Sequence, residues 1–149
     1  MQRRITTPGP LHDEQGRLIE TGYATSLIKA HDPSRVAANH LRLKEWDYYC
    51  VTSDQYALAL TIADNGYMGM DSVSLLDFET GLNQTTSPMS LLPLGKIGLP
   101  ETSLRGDSAH SGKGYALRFE NPGAGQRLLS ARMENFGPDG ALEARVELF

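Results

Sequence analysis

The sequence predicts an all-β, antiparallel fold: a meander that forms a lipocalin-like barrel or a sandwich, preceded by a long irregular lead-in. Three observations predict it. Short segments with an apolar–polar alternation recur after residue 44, turn-forming sequences separate them, and no helix longer than about three turns is visible. Short strands joined by local turns favour a meander over the βαβ units of a parallel sheet. We therefore expect a lead-in at 1–43 that packs on the barrel, and an antiparallel β domain at 44–149.

The lead-in is polar and irregular. It holds six prolines and glycines before residue 34, and it has no sustained period of 2 or 3.6. Arg3 and Arg4 stand near its start, but the apolar segment of a signal peptide does not follow them. The most apolar stretch of the chain, 56–63, is far shorter than the roughly 20 residues that a spanning helix needs. These features predict a cytoplasmic protein without a membrane span.

The first three predicted strands lie at 46–52, 55–64 and 67–78. The first is rich in aromatic and β-branched residues, which suit a pleated surface. The second alternates, and its apolar face carries Tyr56, Leu58, Leu60 and Ile62. The sequence Asp-Asn-Gly at 64–66 tolerates positive φ angles, so it predicts a tight hairpin between the second and third strands.

The second half of the β domain begins with a stretch, 83–98, that is rich in serine, threonine, proline and glycine. This composition predicts a long surface connection, held by the leucines within 91–94. Turn sequences at 121–125 and 137–140 then separate three more segments with strand character. The predicted strands are 114–120, 126–134 and 141–149.

The last predicted strand, 141–149, alternates between apolar and charged residues, as an antiparallel edge strand does. It ends on Val-Glu-Leu-Phe at 146–149 without a polar tail, and an uncovered edge invites pairing with more protein. We therefore expect either that the natural chain continues into a C-terminal half, or that strand 141–149 pairs with a second subunit.

Charge and residue spacing argue against several classes of function. The formal net charge of -4, from 14 lysines and arginines against 18 aspartates and glutamates, predicts no nucleic-acid partner. The four histidines are scattered, without pairs at i, i+2 or i, i+4, so we expect no metal site and no cofactor. The single cysteine, Cys50, lies in an apolar and aromatic run, which predicts a buried, reduced thiol.

One loop, 106–111, contains the three side-chain types of a hydrolase triad, in Asp107, Ser108 and His110. Working triads are assembled from distant segments of a chain, whereas these three residues are nearly adjacent. We therefore interpret the loop as a solvated turn.

The candidate site residues lie on or beside the first three strands; they are Trp46, Tyr48, Asp64, Tyr67, Asp71 and Asp77. Asp64 extends the apolar face of the second strand, and Asp71 shares a face with Val73, so we expect one or both to point inward. A buried carboxyl group has a raised pKa and can donate a proton, which makes Asp64 and Asp71 the candidate catalytic residues. The candidate ligand-binding residues are Trp46, Tyr48, Tyr67 and Asp77. Alternatively, Asp64 bonds the backbone of its turn and Asp77 caps the next turn.

Several runs carry a family resemblance: KEWDYYCVTS at 44–53, LTIAD at 60–64, LDFETG at 76–81, TTPGPL at 6–11 and SGKG at 111–114. Through these runs, which are fold signatures rather than catalytic motifs, the chain resembles the domain-of-unknown-function 2804 family over most of its length. Members of that family are usually longer, so the resemblance implies that this chain is an N-terminal half. The family in turn resembles lipocalin-like proteins that include carotenoid hydratases and terpenoid or polyketide cyclases, whose paired barrels bind apolar molecules.

Three functional hypotheses follow. The leading one is a lipocalin-like domain that binds an apolar small molecule. The second is a hydratase or cyclase that protonates a terpenoid or lipid-like alkene, with Asp64 or Asp71 as the general acid. The third is a structural half-barrel with no site of its own. The resemblance supplies no catalytic motif that transfers to individual residues, so the two aspartates are candidates from the sequence pattern alone.

Overall fold

A computed structural model describes residues 2–138 and 140–149, and the chain divides into two compact units, Met1–Asn39 and His40–Phe149. The fold is all-β, and its two large sheets are antiparallel, as predicted. Both sheets belong to the second unit and are open, so the sandwich alternative is confirmed over the barrel. Asp139, in the predicted turn at 137–140, lies outside the described residues. Within the described ranges, no helix is long and apolar enough to cross a membrane.

The first unit is irregular, in keeping with its prolines and glycines. Its strands β1 (Gly9–Pro10) and β2 (Lys29–Ala30) have two residues each and pair in parallel. A 3-10 turn at Pro33–Arg35 follows Asp32, whose carboxylate accepts a hydrogen bond from the backbone N–H of Ser34 at 3.0 Å. Local caps of this kind, rather than long strand ladders, organise this unit.

The first sheet of the second unit is built on the three strands that the alternation predicted: β3 (Glu45–Thr52), β4 (Tyr56–Asp64) and β5 (Met68–Asp77). They pair antiparallel in chain order. The tight turn between β4 and β5 is confirmed as well. Gly66 adopts a φ of +76° there, a conformation that costs glycine little because it lacks a Cβ.

The free edge of β5 pairs with two short strands that the sequence did not predict, β6 (Asn83–Thr86) and β7 (Met89–Leu91). Of the leucines within 91–94 that were predicted to hold this connection, Leu91 and Leu92 are exposed, at 87% and 57%, whereas Leu94 is half-buried. Ile97 and Leu99 pack against the core instead. Edge pairing depends on backbone N–H and C=O groups, so β6 and β7 need no apolar alternation to form.

The second sheet has the strand order β11-β10-β9-β8. Its strands are β8 (Ser108–Gly112), β9 (Tyr115–Gly123), β10 (Gln126–Met133) and β11 (Leu142–Leu148). The last three confirm the predicted strands at their expected places. The predicted solvated turn at 106–111 was wrong, because most of that segment is β8. The inward positions of β8 are the polar Ser108 and His110, so it lacks the apolar alternation that reveals a half-buried strand.

The two sheets pack face to face around one apolar core. Its buried members are Leu60, Ile62 and Val73 from the first sheet, with Leu117, Phe119, Leu129, Ala131, Met133 and Phe136 from the second sheet and the segment after β10. Tyr49 of β3 contacts the ring of Phe119 edge-on, with centroids 5.1 Å apart. Because Tyr49 and Val51 point to the core, Cys50 between them points outward and is exposed. The prediction of a buried thiol was therefore wrong.

Candidate functional site

The inner face of the first sheet changes from apolar to polar along its strands. Strand register aligns Asp47, Ile62 and Asp71 in one row across β3, β4 and β5. The adjacent row on the core side contains Tyr49, Leu60 and Val73. The adjacent row near the β4–β5 turn contains Glu45, Asp64 and Gly69. The apolar core of this sheet therefore ends at a row that carries two carboxylates.

β8 lies over this row and supplies one hydrogen-bonding side chain to each carboxylate. Ser108 Oγ donates to Oδ2 of Asp47 at 2.6 Å, and Nδ1 of His110 lies 2.6 Å from Oδ2 of Asp71. Ser108 and His110 are two residues apart, so they point to the same face of their strand. This spacing lets one short strand connect β3 and β5 of the opposite sheet.

Asp71 is enclosed between the sheets, with only 1% of its side chain exposed. Its Oδ2 accepts a second hydrogen bond, from the Tyr115 hydroxyl at 2.9 Å, so two side chains of the second sheet converge on one oxygen. Its Oδ1 is buried and has no hydrogen-bond partner among the described residues. A buried polar atom without a partner is costly, and such atoms concentrate where function requires them.

Tyr115 is held as a neutral hydrogen-bond donor. Burial raises the pKa of Tyr115 to about 12, and the hydrogen bond and negative charge of Asp71 act in the same direction. Gly112 lies opposite Tyr115 in the β8–β9 pair and gives the ring its space. A Cβ at Gly112 would lie 2.5 Å from Cε1 of Tyr115, which is closer than carbon atoms approach.

His110 reaches solvent, with 25% of its side chain exposed, whereas Asp71 does not. Nδ1 faces Asp71, whereas Nε2 makes no hydrogen bond to any described residue. Nε2 is not fully buried, so it has contact with solvent. An imidazole that is held by a carboxylate at one nitrogen and open at the other is able to exchange protons.

The family model described as Domain of unknown function (DUF2804) matches residues 2–149. The chain belongs to this family. No curated protein and no solved structure matches the chain. The resemblance to this family that the sequence showed is therefore confirmed. In this DUF2804 domain, Asp71 and its neighbours form the buried polar cluster between the two sheets.

Asp64, the other catalytic candidate of the DUF2804 domain, is also buried, but both its oxygens face backbone donors. Oδ1 accepts a hydrogen bond from the N–H of Gly66 at 2.9 Å, and Oδ2 accepts one from the N–H of Ile97 at 3.5 Å. These contacts fix the β4–β5 turn and the segment that covers it. Asp64 therefore has a structural explanation, whereas Asp71 retains an unpartnered oxygen.

The four ligand-binding candidates are not gathered around Asp71. Asp77 accepts hydrogen bonds from two backbone N–H groups of its turn, at 2.9 and 3.2 Å. Burial acts to raise the pKa of Asp77, but these bonds outweigh it and the pKa is lowered. Trp46 and Tyr48 lie on the outer face of β3 and are more than half exposed. Tyr67 is half-exposed beside β5, where Nζ of Lys44 lies 4.3 Å from its ring centroid.

Sequence reasoning considered Ser108 and His110 only within a loop that it interpreted as a solvated turn, and it missed Tyr115 altogether. Their signal in the sequence is weak, because it consists of two polar residues at strand spacing just before an alternating segment. His110 is 39 residues from Asp71 and Tyr115 is 44 residues from it. Only the packing of one sheet on the other brings these side chains together.

A groove lies between β6 and the β10–β11 connection, with a volume of about 370 Å³. We call it the β6–β11 groove. Its apolar lining includes Leu75, Leu82, Phe136, Pro138, Ala141 and Leu142, and its polar lining side chains are Gln84 and Glu143. Phe136 and Leu75 also contact the core, so the groove rests on the packed interior of the sandwich.

Proposed function

We propose that this domain binds an apolar small molecule, as its resemblance to lipocalin-like proteins implies. The observation that carries this proposal is the β6–β11 groove. Ligand sites are commonly clefts of about 300–1,000 Å³, mostly apolar with a few polar groups that orient the ligand. The groove has this size and this composition, with one amide and one carboxylate among apolar side chains.

The wall of the groove is fixed by close packing, which supports a preformed site. Gly137 has a φ of +65°, and a Cβ there would lie 2.6 Å from Cδ of Gln84. The Gln84 side chain of the first sheet therefore packs directly on the backbone that follows β10. A site formed in advance costs less ordering entropy when a ligand enters.

A substitution that fills the groove tests this proposal. Leu82 lines the groove and is half-exposed, so Leu82→Trp narrows the groove without disturbing the core. Leu91→Trp is the matched control, because Leu91 is exposed and does not line the groove. We expect Leu82→Trp to weaken binding of the fluorescent probe N-phenyl-1-naphthylamine at least about tenfold, equivalent to about 1.4 kcal/mol, with the control unchanged. Equal affinities in the two variants, or no binding by the wild type, contradict the proposal.

Native mass spectrometry addresses the natural ligand. We expect protein purified from cell extract to carry a lipid or terpenoid mass that Leu82→Trp loses. An empty wild-type spectrum, unchanged after incubation with apolar extracts, argues for the third hypothesis, a structural half-barrel with no site.

A second candidate function is a hydratase or cyclase that acts on a terpenoid or lipid-like alkene with a carboxylate general acid. The observation that favours it is the buried Oδ1 of Asp71, which has no hydrogen-bond partner among the described residues, because buried polar atoms without partners concentrate where function requires them. Asp64 is a poorer candidate, since backbone N–H groups already satisfy both its oxygens.

The two functions are separated by paired substitutions. If the domain is an enzyme of this kind, Asp71→Asn abolishes turnover of the molecule identified by mass spectrometry and leaves its binding intact. Asp64→Asn is the comparison, and a loss confined to Asp71→Asn supports catalysis. If both variants bind and nothing is converted by the wild type, the domain is a binding module.

A cytoplasmic location is part of the proposal. The support for it is Cys50, which is unpaired and exposed, because reducing compartments keep such thiols free. Fractionation of cells that produce the full-length protein tests this, and recovery with the secreted or membrane fraction contradicts it.

A further inference from the structure

We propose that His110, rather than a carboxyl group, is the side chain that accepts a proton from a ligand hydroxyl at this site, and that Asp71 and Tyr115 are its positioning residues. The inference goes beyond the proposed functions, because it assigns base chemistry toward a hydroxyl-bearing ligand to His110 instead of acid chemistry to Asp71. Its test reads the state of the histidine ring directly, so its failure is distinguishable from failure of ligand binding in the β6–β11 groove.

Asp71 and His110 differ in how far their side chains are exposed to solvent. Asp71 has 1% of its side chain exposed, and its Oδ1 is buried, so a ligand does not reach it in this arrangement. His110 has 25% of its side chain exposed, and its Nε2 makes no hydrogen bond to a described residue. Of these two groups, His110 is therefore the one that a ligand in solvent can reach.

The hydrogen bonds around Asp71 fix which nitrogen of His110 carries the proton. Oδ2 of Asp71 accepts the hydrogen bond of the Tyr115 hydroxyl at 2.9 Å and also faces Nδ1 of His110 at 2.6 Å. Because Oδ2 already acts as the acceptor for Tyr115, we infer that it accepts the second bond as well and that Nδ1 carries the hydrogen. A neutral imidazole has one N–H, and its lone pair then lies on Nε2.

The open lone pair defines the chemistry of the site. A ligand hydroxyl that approaches Nε2 donates a hydrogen bond to it. If the proton transfers, it moves from oxygen to Nε2, and the electron pair of the O–H bond stays on the oxygen. The imidazolium that forms has Asp71 at 2.6 Å from Nδ1, which stabilises the charge through a charge-assisted hydrogen bond. Asp71 thus acts through His110 without touching the ligand.

Tyr115 and Gly112 complete the positioning of the carboxylate. The Tyr115 hydroxyl holds Oδ2 from β9, and its ring centroid lies 6.4 Å from that of His110. Gly112 leaves the space that this ring occupies. The contact with Tyr115 of the second sheet therefore restricts rotation of the Asp71 side chain. The same oxygen, Oδ2, holds the ring of His110.

Long-range ¹H–¹⁵N correlation spectra of the ¹⁵N-labelled protein test the inference, because they distinguish protonated from unprotonated ring nitrogens. His110→Gln identifies the His110 signals among those of the four histidines. We expect neutral His110 to carry its proton on Nδ1. Asp71→Ala removes the acceptor, and we expect the proton to move to Nε2. Asp47→Ala is the matched control, because Asp47 lies in the same row but bonds Ser108, and it leaves the His110 signals unchanged.

Two results overturn the inference. One is a wild-type His110 that carries its proton on Nε2, because Nδ1 then accepts a hydrogen from a protonated Asp71. The other is an Asp71→Ala variant with unaltered His110 signals. If Asp71→Ala does not fold, the wild-type spectrum still decides, since the position of the proton is read from the native protein.

Access to Nε2 has a separate readout. Diethyl pyrocarbonate acylates unprotonated imidazole nitrogens, and peptide mapping locates the products. We expect His110 to react in the folded protein, as the exposed His40 does. Reaction at His40 without reaction at His110 contradicts the exposure of Nε2 and overturns the inference.

Discussion

Asp47 and Asp71 lie in the same inward-facing row of the first sheet, on either side of Ile62, and each binds a side chain of β8. One strand, β4, lies between their strands, so two inter-strand spacings place them roughly 10 Å apart, while residues two apart on one strand are separated by about 7 Å. Ser108 and His110 nevertheless each reach one of the two carboxylates, at 2.6 Å. The pair of aspartates therefore ties the polar strand β8 to the first sheet.

The stability of the sandwich should depend on Asp71 more than on Asp47. Removing one partner of a buried, hydrogen-bonded pair lowers the free energy of unfolding by roughly 3–5 kcal/mol. Because His110 is partly exposed and water can replace its lost partner, we expect Asp71→Ala to lie at the low end of this range, at about 3 kcal/mol. Asp47→Ala should cost less, because one neutral hydroxyl loses its acceptor. Urea denaturation of both variants measures the difference, and an equal or larger loss for Asp47→Ala contradicts this assignment.

The hydroxyl of Tyr115 should ionise at a higher pH than that of an ordinary tyrosine. Its pKa in the folded protein, about 12, exceeds the usual value of about 10, so the folded state favours the neutral phenol. The resulting stabilisation is complete below pH 10 and is lost as the pH rises through 12. The absorbance of tyrosinate follows this ionisation, and circular dichroism at each pH confirms that the protein is folded.

Two variants assign that late ionisation. Tyr115→Phe should remove one component with a midpoint near pH 12 from the titration of the six tyrosines. Asp71→Ala should shift the same component to lower pH, since the hydrogen bond and the charge of Asp71 both raise it. A titration that neither variant changes shows that the late component belongs to another tyrosine.

The thiol of Cys50 should react in the native protein. The alternation of β3 turns Cys50 outward, where it is exposed. We expect 5,5′-dithiobis(2-nitrobenzoic acid) to label one thiol per chain without denaturant, and Cys50→Ser to abolish the reaction. Labelling that requires urea is the contrary outcome, and it restores the buried thiol that the sequence alone predicted.

Local pattern determined which parts of this fold were predictable. The period of 2 along β4 and the Asn65–Gly66 turn place Asp71 on the inner face of β5, so its burial followed from the sequence. The partners of Asp71 did not follow, because His110 and Tyr115 meet it only through packing between sheets. The strand that carries His110 was missed for a related reason. Its inward side chains form hydrogen bonds with carboxylates and are polar, so the strand lacks the apolar–polar alternation that predicts a half-buried strand.

Gly112 should control the position of Tyr115 through steric contact alone. Its φ lies outside the left-handed region, so alanine fits the backbone, but the new Cβ would lie 2.5 Å from Cε1 and 2.8 Å from the hydroxyl of Tyr115. We expect Gly112→Ala to displace the ring, to lower the free energy of unfolding by about 1–3 kcal/mol, and to shift the Tyr115 pKa toward 10. Ser111→Ala, at an exposed neighbouring position, is the control and should change neither property.

A double-mutant cycle separates this contact from a general loss of β8 pairing. In a Tyr115→Ala background the ring is absent, so Gly112→Ala should cost almost nothing, and the interaction energy between the two positions should equal the cost of the single Gly112→Ala change. Urea denaturation of the four proteins gives that energy. If Gly112→Ala costs as much without the ring as with it, its effect arises from the strand itself, and the space at Gly112 does not position Tyr115 against Asp71.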